Sequence, residues 1–244
     1  MTPITAIIIT RNEEERIAET ISSLSCCEEI LVVDAESTDR TCEIASKCGA
    51  RVFVRAWEGF ARQKNFGAEK ASYDWILSID ADERPSIELA HEIMEWKRRP
   101  MESAARSMPR RVSYFGAWIH HSGWYPDRKI RLFNRRFARW QGDGVHESMV
   151  VDGTVERFQG DLLHFPYRSW ADHLQRIDRY TAIASKAAHE SGKRGNPLML
   201  LVGPPISFLR TFVFRLGFLD GWRGALIAYA GARYVFLREL RILR

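Results

Sequence analysis

Cysteine is scarce in this sequence and confined to one end of it. The 244 residues include four cysteines, and all of them come within the first 48 positions: Cys26, Cys27, Cys42 and Cys48. No two of them have the Cys-x-x-Cys spacing of a zinc or redox motif, and none follows in the rest of the chain. We therefore expect neither a disulfide framework nor a zinc site, which is typical of a protein of the reducing cytoplasm.

Long hydrophobic runs are also missing. The N-terminal apolar stretch reaches Arg11 without a basic segment before it and is too short for a signal peptide, so it indicates a buried strand. The uncharged run at 196–209 has 14 residues, whereas a spanning helix needs about 20. Arg210 and Arg215 then interrupt the apolar continuation. The sequence therefore predicts no helix that crosses a membrane.

Excess charge is absent from most of the chain and concentrated in its last part. The whole chain carries +5, and residues 197–244 hold seven arginines and two acids, which accounts for all of it. Because these arginines alternate with apolar residues, we expect a helical tail at 197–244 that lies in the headgroup region of an anionic membrane surface. The alternative is a helical hairpin packed on the core. No nucleic-acid-binding module is apparent, so nucleic acid is not an expected partner.

Strands and helices alternate over the first 100 residues. Apolar β-branched runs predict strands at 4–10, 29–33, 51–54 and 75–79, and helical spacing predicts helices at 13–24, 40–48, 63–71 and 87–97. This alternation predicts an α/β fold with a Rossmann-like, mostly parallel sheet flanked by helices. After Pro100, shorter alternating stretches predict a smaller mixed β region, followed by a long helix over Trp170–Glu190 and a linker at 191–197. We expect one domain over 1–196 and the tail over 197–244.

Polar residues follow three of these strands at the point where each one ends. They are Thr10 to Glu13, Asp34 to Asp39, and Asp80-Ala-Asp82. Ligands of open α/β sheets bind beyond the carboxyl ends of the strands, so this shared edge predicts a ligand site. The alternative is that these side chains only cap helices and form turns. Two carboxylates two residues apart can share Mg²⁺ or Mn²⁺, which proteins hold through one or two carboxylates plus substrate phosphates.

Three segments together resemble a known family. They are Ile-Ile-Thr-Arg-Asn-Glu-Glu from Ile8, Ile-Leu-Val-Val-Asp-Ala-Glu-Ser-Thr-Asp from Ile30, and Trp-Ile-Leu-Ser-Ile-Asp-Ala-Asp-Glu from Trp75. The chain resembles the family 2 inverting glycosyltransferases of the GT-A fold over residues 4–180. It is most similar to the lipopolysaccharide inner-core β-1,4-glucosyltransferases. One departure is Glu36, where the wider family usually has Gly or Asp.

The resemblance implies a nucleotide-diphosphate sugar donor, with UDP-sugar as the first choice, and a divalent cation, Mg²⁺ or Mn²⁺. It places donor binding in residues 1–100 and acceptor binding in 101–196. Donor contacts are implied for Thr10, Asn12, Glu13 and Asp34 at the nucleoside, for Lys64 and Asn65 at the diphosphate, and for Asp80 at the ribose or metal. Asp82 is the implied metal ligand, and His164 resembles the late histidine that completes the metal shell, unless it is an ordinary core residue.

Inverting transfer also needs a base, because the acceptor hydroxyl must lose its proton as it attacks. Glu147 is our candidate, in the sequence Gly-Asp-Gly-Val-His-Glu, and Asp143 in the same segment is its rival. His146 is interpreted as a structural or substrate contact. The alternative is that Glu147 is a surface carboxylate.

The segment 123–131 combines aromatic and cationic side chains, which stack on sugars and bind phosphate. We expect an anionic acceptor to contact Trp124, Tyr125, Arg128 and Arg131, although a solvated β-hairpin would show the same composition.

The expected function is transfer of a hexose, with glucose as first choice, to a lipopolysaccharide-core or other glycolipid acceptor at the inner membrane face. The alternatives are transfer to a polyprenyl-linked or other glycan, and nucleotide-sugar binding without catalysis. A sugar-phosphate nucleotidyltransferase would normally show a glycine-rich loop after the first strand, where this chain has Thr10-Arg-Asn-Glu.

Overall fold

A computed structural model describes residues 1–99, 102–142, 147–192 and 194–243. The chain forms two compact units. The first, which we call the sheet unit, comprises Met1–Arg110 and Asp127–His164. The second, the helical unit, comprises Arg111–Pro126 and Phe165–Arg244.

The parallel part of the sheet unit is built from the four strands predicted for the first 100 residues. They are β1 (Ile4–Thr10), β2 (Glu29–Asp34), β3 (Arg51–Val54) and β4 (Trp75–Asp80), in the order β3-β2-β1-β4. All neighbours in this set are parallel, with Thr10 opposite Asp34 and Ile9 opposite Asp80. Every residue of β1 is buried, as its continuous apolar sequence requires.

Helices cover both faces of this sheet. They are α1 (Ile17–Ser22), α2 (Thr41–Lys47), α3 (Phe60–Lys70) and α4 (Ile87–Trp96), each within a few residues of its predicted bounds. The side chains of α1, α2 and α4 join the core on one face and those of α3 the core on the other. Gly67 lets α3 approach β1 closely, because a Cβ at this position would meet the Ile7 side chain at 2.4 Å.

The mixed β region adjoins β4, as predicted, and consists mainly of antiparallel strands. The sheet continues in the order β4-β8-β6-β12-β5, and β11 pairs with β6. The bounds are β5 (Glu83–Pro85), β6 (Ala105–Tyr114), β8 (Asp127–Asn134), β11 (Val155–Arg157) and β12 (Leu162–His164). A separate two-stranded sheet pairs β9 (Ala138–Gln141) with β10 (Ser148–Val151).

The helical unit contains the last residues of β6, their hairpin partner β7 (Ala117–Trp118), and three helices. These are α5 (Trp170–Glu190), with the predicted bounds, α6 (Pro197–Leu209) and α7 (Gly221–Leu243). Tyr114 lies at the centre of the core with Ile119 and Ile227. Between α6 and α7 the chain forms a π-helical turn at Arg210–Phe214 and a 3₁₀ turn at Gly217–Asp220.

The helix through α6 and the π turn differs from the expected interruption at Arg210. Its backbone stays helical over Pro197–Phe214, and none of this segment is buried. In the described part of the chain, this one helix has the length and composition to cross a membrane. Length and composition alone are weak evidence for a span.

The chain divides into its two compact units after residues 110, 126 and 164, and not at the predicted boundary between 196 and 197. Helix α5 packs against α7 in the helical unit. His189 Nε2 lies 3.0 Å from the carbonyl oxygen of Ile242, and the Arg241 guanidinium bonds to the carbonyl oxygen of Asp178 and to the Thr181 hydroxyl. The tail therefore supplies part of the core that covers α5.

Candidate active site

The loops that follow β1 and β2 are tied together at the carboxyl edge of the sheet unit. Asn12 Oδ1 accepts a hydrogen bond of 2.8 Å from the Thr38 amide, and the Asn12 amide donates to Ser37 Oγ at 2.8 Å. Asp34 is fully buried and accepts from the Ser37 amide at 2.7 Å. These bonds fix the two predicted donor-binding loops against each other.

Two residues of these loops have the left-handed backbone conformation. They are Asn12, with φ of 55°, and Glu36, also with φ of 55°. Asparagine, aspartate and glycine tolerate this conformation better than glutamate does. This explains physically why Gly or Asp would suit position 36, where the sequence departs from the family pattern.

The other predicted donor residues of β1 lie at the same edge. Thr10 is buried, and its hydroxyl has no hydrogen-bond partner within the described part of the chain. The backbone amide of Glu13 donates a hydrogen bond to Thr41 Oγ1 at 2.8 Å. Glu13 also faces Arg16, with 3.7 Å between Oε2 and Nη1.

Asp80, at the end of β4, lies between two cations. Lys64 Nζ is 3.2 Å from Asp80 Oδ1, and Arg131 Nη2 donates to Asp80 Oδ2 at 2.8 Å. Burial alone would raise the pKa of the Asp80 carboxyl, but Arg131 and then Lys64 outweigh it and hold that pKa well below its usual range. Asp80 is thus a carboxylate with a cation beside each oxygen.

Glu83 lies between Arg131 and a second arginine, Arg110. This glutamate was not predicted from the sequence. Its side chain is fully buried, with Oε1 2.6 Å from Arg131 Nη2 and 3.2 Å from Arg110 Nη1. Arg110 continues to Asp127 at 2.6 Å. Burial opposes the charge of Arg131, yet Asp80 and Glu83 raise its pKa. A glutamate directly after Asp-Ala-Asp was the available signal, but its partners come from β6 and β8, distant in sequence.

The candidate base Glu147 is joined to this network through Lys64. Glu147 Oε1 accepts a hydrogen bond from Lys64 Nζ at 3.2 Å, and the same ammonium group lies 4.4 Å from the Trp140 ring centre. Lys64 is 1% exposed, so its ammonium group is held among these partners and Asp80. Lys64 thus links the predicted base to the predicted donor-binding aspartate. Asp143 and His146 lie outside the described residues.

Asp82 and His164 form the second pair predicted from the sequence. Antiparallel pairing of β5 with β12 sets His164 opposite Glu83, and the Thr20 hydroxyl fixes the preceding Ala81 through its carbonyl oxygen at 2.7 Å. His164 Nε2 is 3.5 Å from Asp82 Oδ2. Burial would raise the pKa of Asp82, but the His164 imidazole lowers it.

This pair fits a divalent cation in part. No group of three or more His, Cys, Asp or Glu side chains that could hold a metal occurs in the described ranges. Asp82 supplies a carboxylate, and the buried Nδ1 of His164 has no hydrogen-bond partner among the described residues. A carboxylate, an imidazole and substrate phosphates form a ligand set that Mg²⁺ or Mn²⁺ accepts.

The remaining predicted residues have other partners or another location. The Asn65 amide group exchanges two hydrogen bonds with the Trp140 backbone, at 2.9 and 3.1 Å, and so joins α3 to β9. Arg128 Nη1 donates to the Phe158 carbonyl oxygen at 3.0 Å. Of the predicted acceptor residues, Arg128 and Arg131 belong to the sheet unit, and Trp124 and Tyr125 to the helical unit.

Comparisons with known proteins identify the family of the chain. The family model for Glycosyl transferase family 2 matches residues 5–151. The chain is 33% identical to the lipopolysaccharide core biosynthesis glycosyltransferase LpsC of Rhizobium meliloti, over 98% of this chain and 92% of that protein. It is 32% identical to an uncharacterized glycosyltransferase of Rickettsia typhi, over 100% of this chain and 88% of that one.

Solved structures support the fold. The mannosyltransferase PcManGT of Pyrobaculum calidifontis, solved with GDP-mannose and Mn²⁺, has a TM-score of 0.52 at 15% identity, over 99% of this chain and 85% of its own. Mannosyl-3-phosphoglycerate synthase of Rubrobacter xylanophilus gives 0.51 at 15% identity, over 78% and 75%. The predicted GT-A fold is confirmed. The chain belongs to glycosyltransferase family 2 and is a glycosyltransferase.

Proposed function

We propose that this glycosyltransferase transfers a hexose, with glucose as first choice, from a nucleotide-diphosphate sugar to a lipopolysaccharide-core or related glycolipid acceptor, with inversion at the anomeric carbon. The observation that carries the proposal is the Lys64 ammonium group, which lies 3.2 Å from both Asp80 and Glu147. It connects the aspartate proposed to bind the donor with the carboxylate proposed to serve as base. The similarity to LpsC supports the choice of acceptor.

In the proposed reaction, Glu147 accepts the proton of the acceptor hydroxyl while that oxygen attacks the anomeric carbon. The new glycosidic bond forms as the bond from the anomeric carbon to the donor phosphate oxygen breaks, and the nucleoside diphosphate leaves with the electron pair. A single displacement of this kind inverts the configuration. Lys64 holds the Glu147 carboxylate in position for the attack, so Lys64 is a positioning residue.

The donor would bind at the carboxyl edge of the sheet unit. We assign the nucleoside to Thr10, Asn12, Glu13 and Asp34, because their loops are fixed against each other and Thr10 has a buried hydroxyl without a partner among the described residues. Asp82 and His164 would hold the divalent cation. When bound, such a cation supplies positive charge for the diphosphate leaving group. We leave Asn65 out of the proposed site, because both ends of its amide bond the Trp140 backbone.

A donor and acceptor screen with purified protein tests this function. UDP-glucose, UDP-galactose, UDP-N-acetylglucosamine and GDP-mannose would each be offered with lipopolysaccharide that lacks outer-core sugars, and released nucleoside diphosphate would be measured. We expect acceptor-dependent release with UDP-glucose and a product of inverted anomeric configuration by NMR. A retained configuration would contradict the proposed single displacement. Binding of a donor without any turnover would favour a non-catalytic nucleotide-sugar-binding protein.

We also propose that the tail attaches the enzyme to the cytoplasmic face of the inner membrane. Support comes from the seven arginines beyond residue 196 and from the exposed apolar side chains of α6, such as Leu201 and Ile206. Charge attraction is screened over about 8 Å at physiological salt, so binding to anionic vesicles should weaken as salt rises. Retention in the membrane through high-salt and alkaline washing would instead indicate that Pro197–Phe214 spans it.

A further inference from the structure

A cavity lies within the helical unit, and none of its lining residues is assigned above to the donor, the cation or the base, although Trp124, an expected acceptor contact, is among them. It has a volume of about 410 Å³ and is formed by α6, the π turn, α7 and the loop at 122–124. The polar residues that line it are Ser122, Ser207, Thr211, Tyr234, Arg210 and Arg215. Pockets of about 300–1,000 Å³ are the size that small ligands occupy.

The π turn brings the two arginines to this cavity together. The Arg215 amide donates to the Arg210 carbonyl oxygen at 2.9 Å, which is the five-residue spacing of a π turn. In a regular α-helix, residues five apart point about 140° away from each other, at 3.6 residues per turn. The wider turn therefore allows Arg210 and Arg215 to line one cavity. π turns of this kind occur frequently at functional sites.

The chain on either side of the turn holds Arg215 in place. The Ser122 amide donates to the Arg215 carbonyl oxygen at 2.9 Å. The guanidinium group of Arg215 lies over Gly123, where a Cβ would come within 2.5 Å of Nη1. Leu216 then has a left-handed backbone, with φ of 56°, which ends the helical segment. Gly123 also has a left-handed φ of 75°, which favours glycine at this position.

Neither arginine has a counter-charge within the described ranges. Their side chains form no ion pair or hydrogen bond with a described residue, whereas other tail arginines are bonded: Arg223 to the backbone of Tyr114 and Phe115, and Arg238 to Glu239. Asp220, the nearest acid in sequence, is occupied by the backbone of His120 and His121 and by the Ser122 hydroxyl. Two arginines that line one cavity without a counter-charge among the described residues suit an anion, phosphate in particular.

The rest of the cavity wall is apolar. Ile206, Ile227 and Val235 line it beside the arginines. The surface of α6 and the following turns continues this character, with exposed Leu201, Leu209 and Phe214. An anion-binding end next to an apolar wall suits an amphiphile better than a soluble phosphate.

We propose that this cavity binds a phosphate-bearing lipid, with the phosphate on Arg210 and Arg215 and the first part of an acyl chain against Ile206, Ile227 and Val235. The inference goes beyond the glycosyl transfer proposed above and does not depend on it. It depends on the proposed membrane attachment only for the source of the lipid.

Binding of a short-chain lipid below its micelle concentration tests the proposal without vesicles, donor or acceptor. Dihexanoyl phosphatidylglycerol would be titrated into the full-length protein by calorimetry. Dihexanoylglycerol, which lacks the phosphate, and glycerol 3-phosphate, which lacks the acyl chains, serve as the two comparisons. We expect binding of the anionic lipid at least about tenfold tighter than either comparison. Equal binding of dihexanoylglycerol would overturn the role of the arginines, and equal binding of glycerol 3-phosphate would show a site for soluble phosphate and overturn the lipid assignment.

Two kinds of variant locate the site. Arg210→Gln with Arg215→Gln should weaken binding at least about tenfold, whereas Arg179→Gln, an exposed arginine of α5, should leave it unchanged. Gly231→Leu fills the cavity without altering charge, and its control is Gly231→Ala, because a Cβ there meets only Ser207 Oγ at 3.5 Å. We expect Gly231→Leu to abolish lipid binding and Gly231→Ala to retain it. Unchanged binding in Gly231→Leu would overturn the proposal, and so would unchanged binding in the double arginine variant. Glycosyl transfer to a soluble acceptor, measured on the same proteins, fails independently if the proposed function is wrong.

Discussion

The two units treat charge in opposite ways. In the sheet unit, Glu83, Arg131 and Lys64 are all less than 5% exposed, and each contacts a partner of opposite sign. In the helical unit, Arg210 and Arg215 are exposed and have no such partner in the described part of the chain, and they stand among apolar side chains that face outwards. Buried paired charges are fixed in direction, as a reaction centre requires. Exposed cations among apolar groups are typical of a membrane-facing surface. This contrast supports the proposals that the sheet unit carries the chemistry and that the helical unit attaches to the membrane.

The largest expected effect is the loss of glycosyl transfer after a substitution in the sheet unit. Asp82→Ala should abolish detectable transfer, because it removes the carboxylate of the proposed cation site beside His164. Excess chelator should do the same to the parent enzyme, and added Mn²⁺ or Mg²⁺ should restore it. Vesicle binding by Asp82→Ala should equal that of the parent. Full turnover in chelator would contradict the metal assignment.

Removing the tail should break the helical unit and leave the sheet unit folded. A chain that ends at Asn196 lacks the buried Ile227 and Ile242, and burial of such side chains contributes about 1.5–3 kcal/mol each. We expect amide hydrogen exchange in α5 to lose its protection, because α7 no longer covers this helix. Exchange in β1 and β4 should stay slow, and vesicle binding should be lost. Loss of protection in β1 as well would contradict the independence of the two units.

Acid should weaken the helical unit through His173. This buried imidazole lies 2.7 Å from the Tyr114 hydroxyl, and burial lowers the pKa of His173 from 6.5 to about 4. Between these two values the unfolded chain takes up a proton that the folded chain does not, so stability falls as pH drops from about 6.5 towards 4. The gap corresponds to at most roughly 3 kcal/mol.

Thermal unfolding at pH 7 and pH 5 measures this effect. His173→Gln keeps a polar partner for Tyr114 and should lose part of the acid sensitivity. His91→Gln, an exposed histidine of the sheet unit, should retain all of it. Equal acid sensitivity in His173→Gln and the parent would show that other groups govern the transition.

The smallest expected effect concerns the backbone of the sheet unit. Glu36 has a left-handed conformation, so Glu36→Asn should stabilise the protein by about 0.5–1 kcal/mol, since asparagine adopts this conformation more readily. Denaturant unfolding measures the change. Glu102→Asn, at an exposed position outside the helices and strands, gives the matched control. A destabilised Glu36→Asn would indicate that the glutamate side chain makes a contact of its own.

Local pattern was sufficient to predict the elements of the first 100 residues. Continuous apolar runs gave β1 and β4, and the alternation of strands and helices gave the parallel sheet. The polar residues at the strand ends lie at one edge, as predicted, because parallel strands share a carboxyl edge. Helix α5 has its predicted bounds, with Ser169 accepting from the Asp172 amide at its start.

Long-range contacts were beyond local pattern. The Lys64–Glu147 pair joins residues 83 apart in the chain, and the Glu83–Arg131 pair joins residues 48 apart. Asn65 was expected to contact the diphosphate, but its side chain bonds the backbone of Trp140. This contact depends on the packing of α3 on β9, which local sequence does not specify. The π turn at Arg210–Phe214 was likewise not predicted from local sequence. It allows Arg210 and Arg215 to line the same cavity.

The kinetics of Glu147→Gln test most directly whether Glu147 is the base of the sheet unit. We predict that kcat falls by about 10² to 10⁴-fold, the usual contribution of a general base, while the Kd for the donor measured by calorimetry stays within about twofold. The matched comparison is Asp143→Asn, the rival carboxylate. Near-normal turnover in Glu147→Gln together with a large loss of turnover in Asp143→Asn would contradict the role of Glu147 as the base.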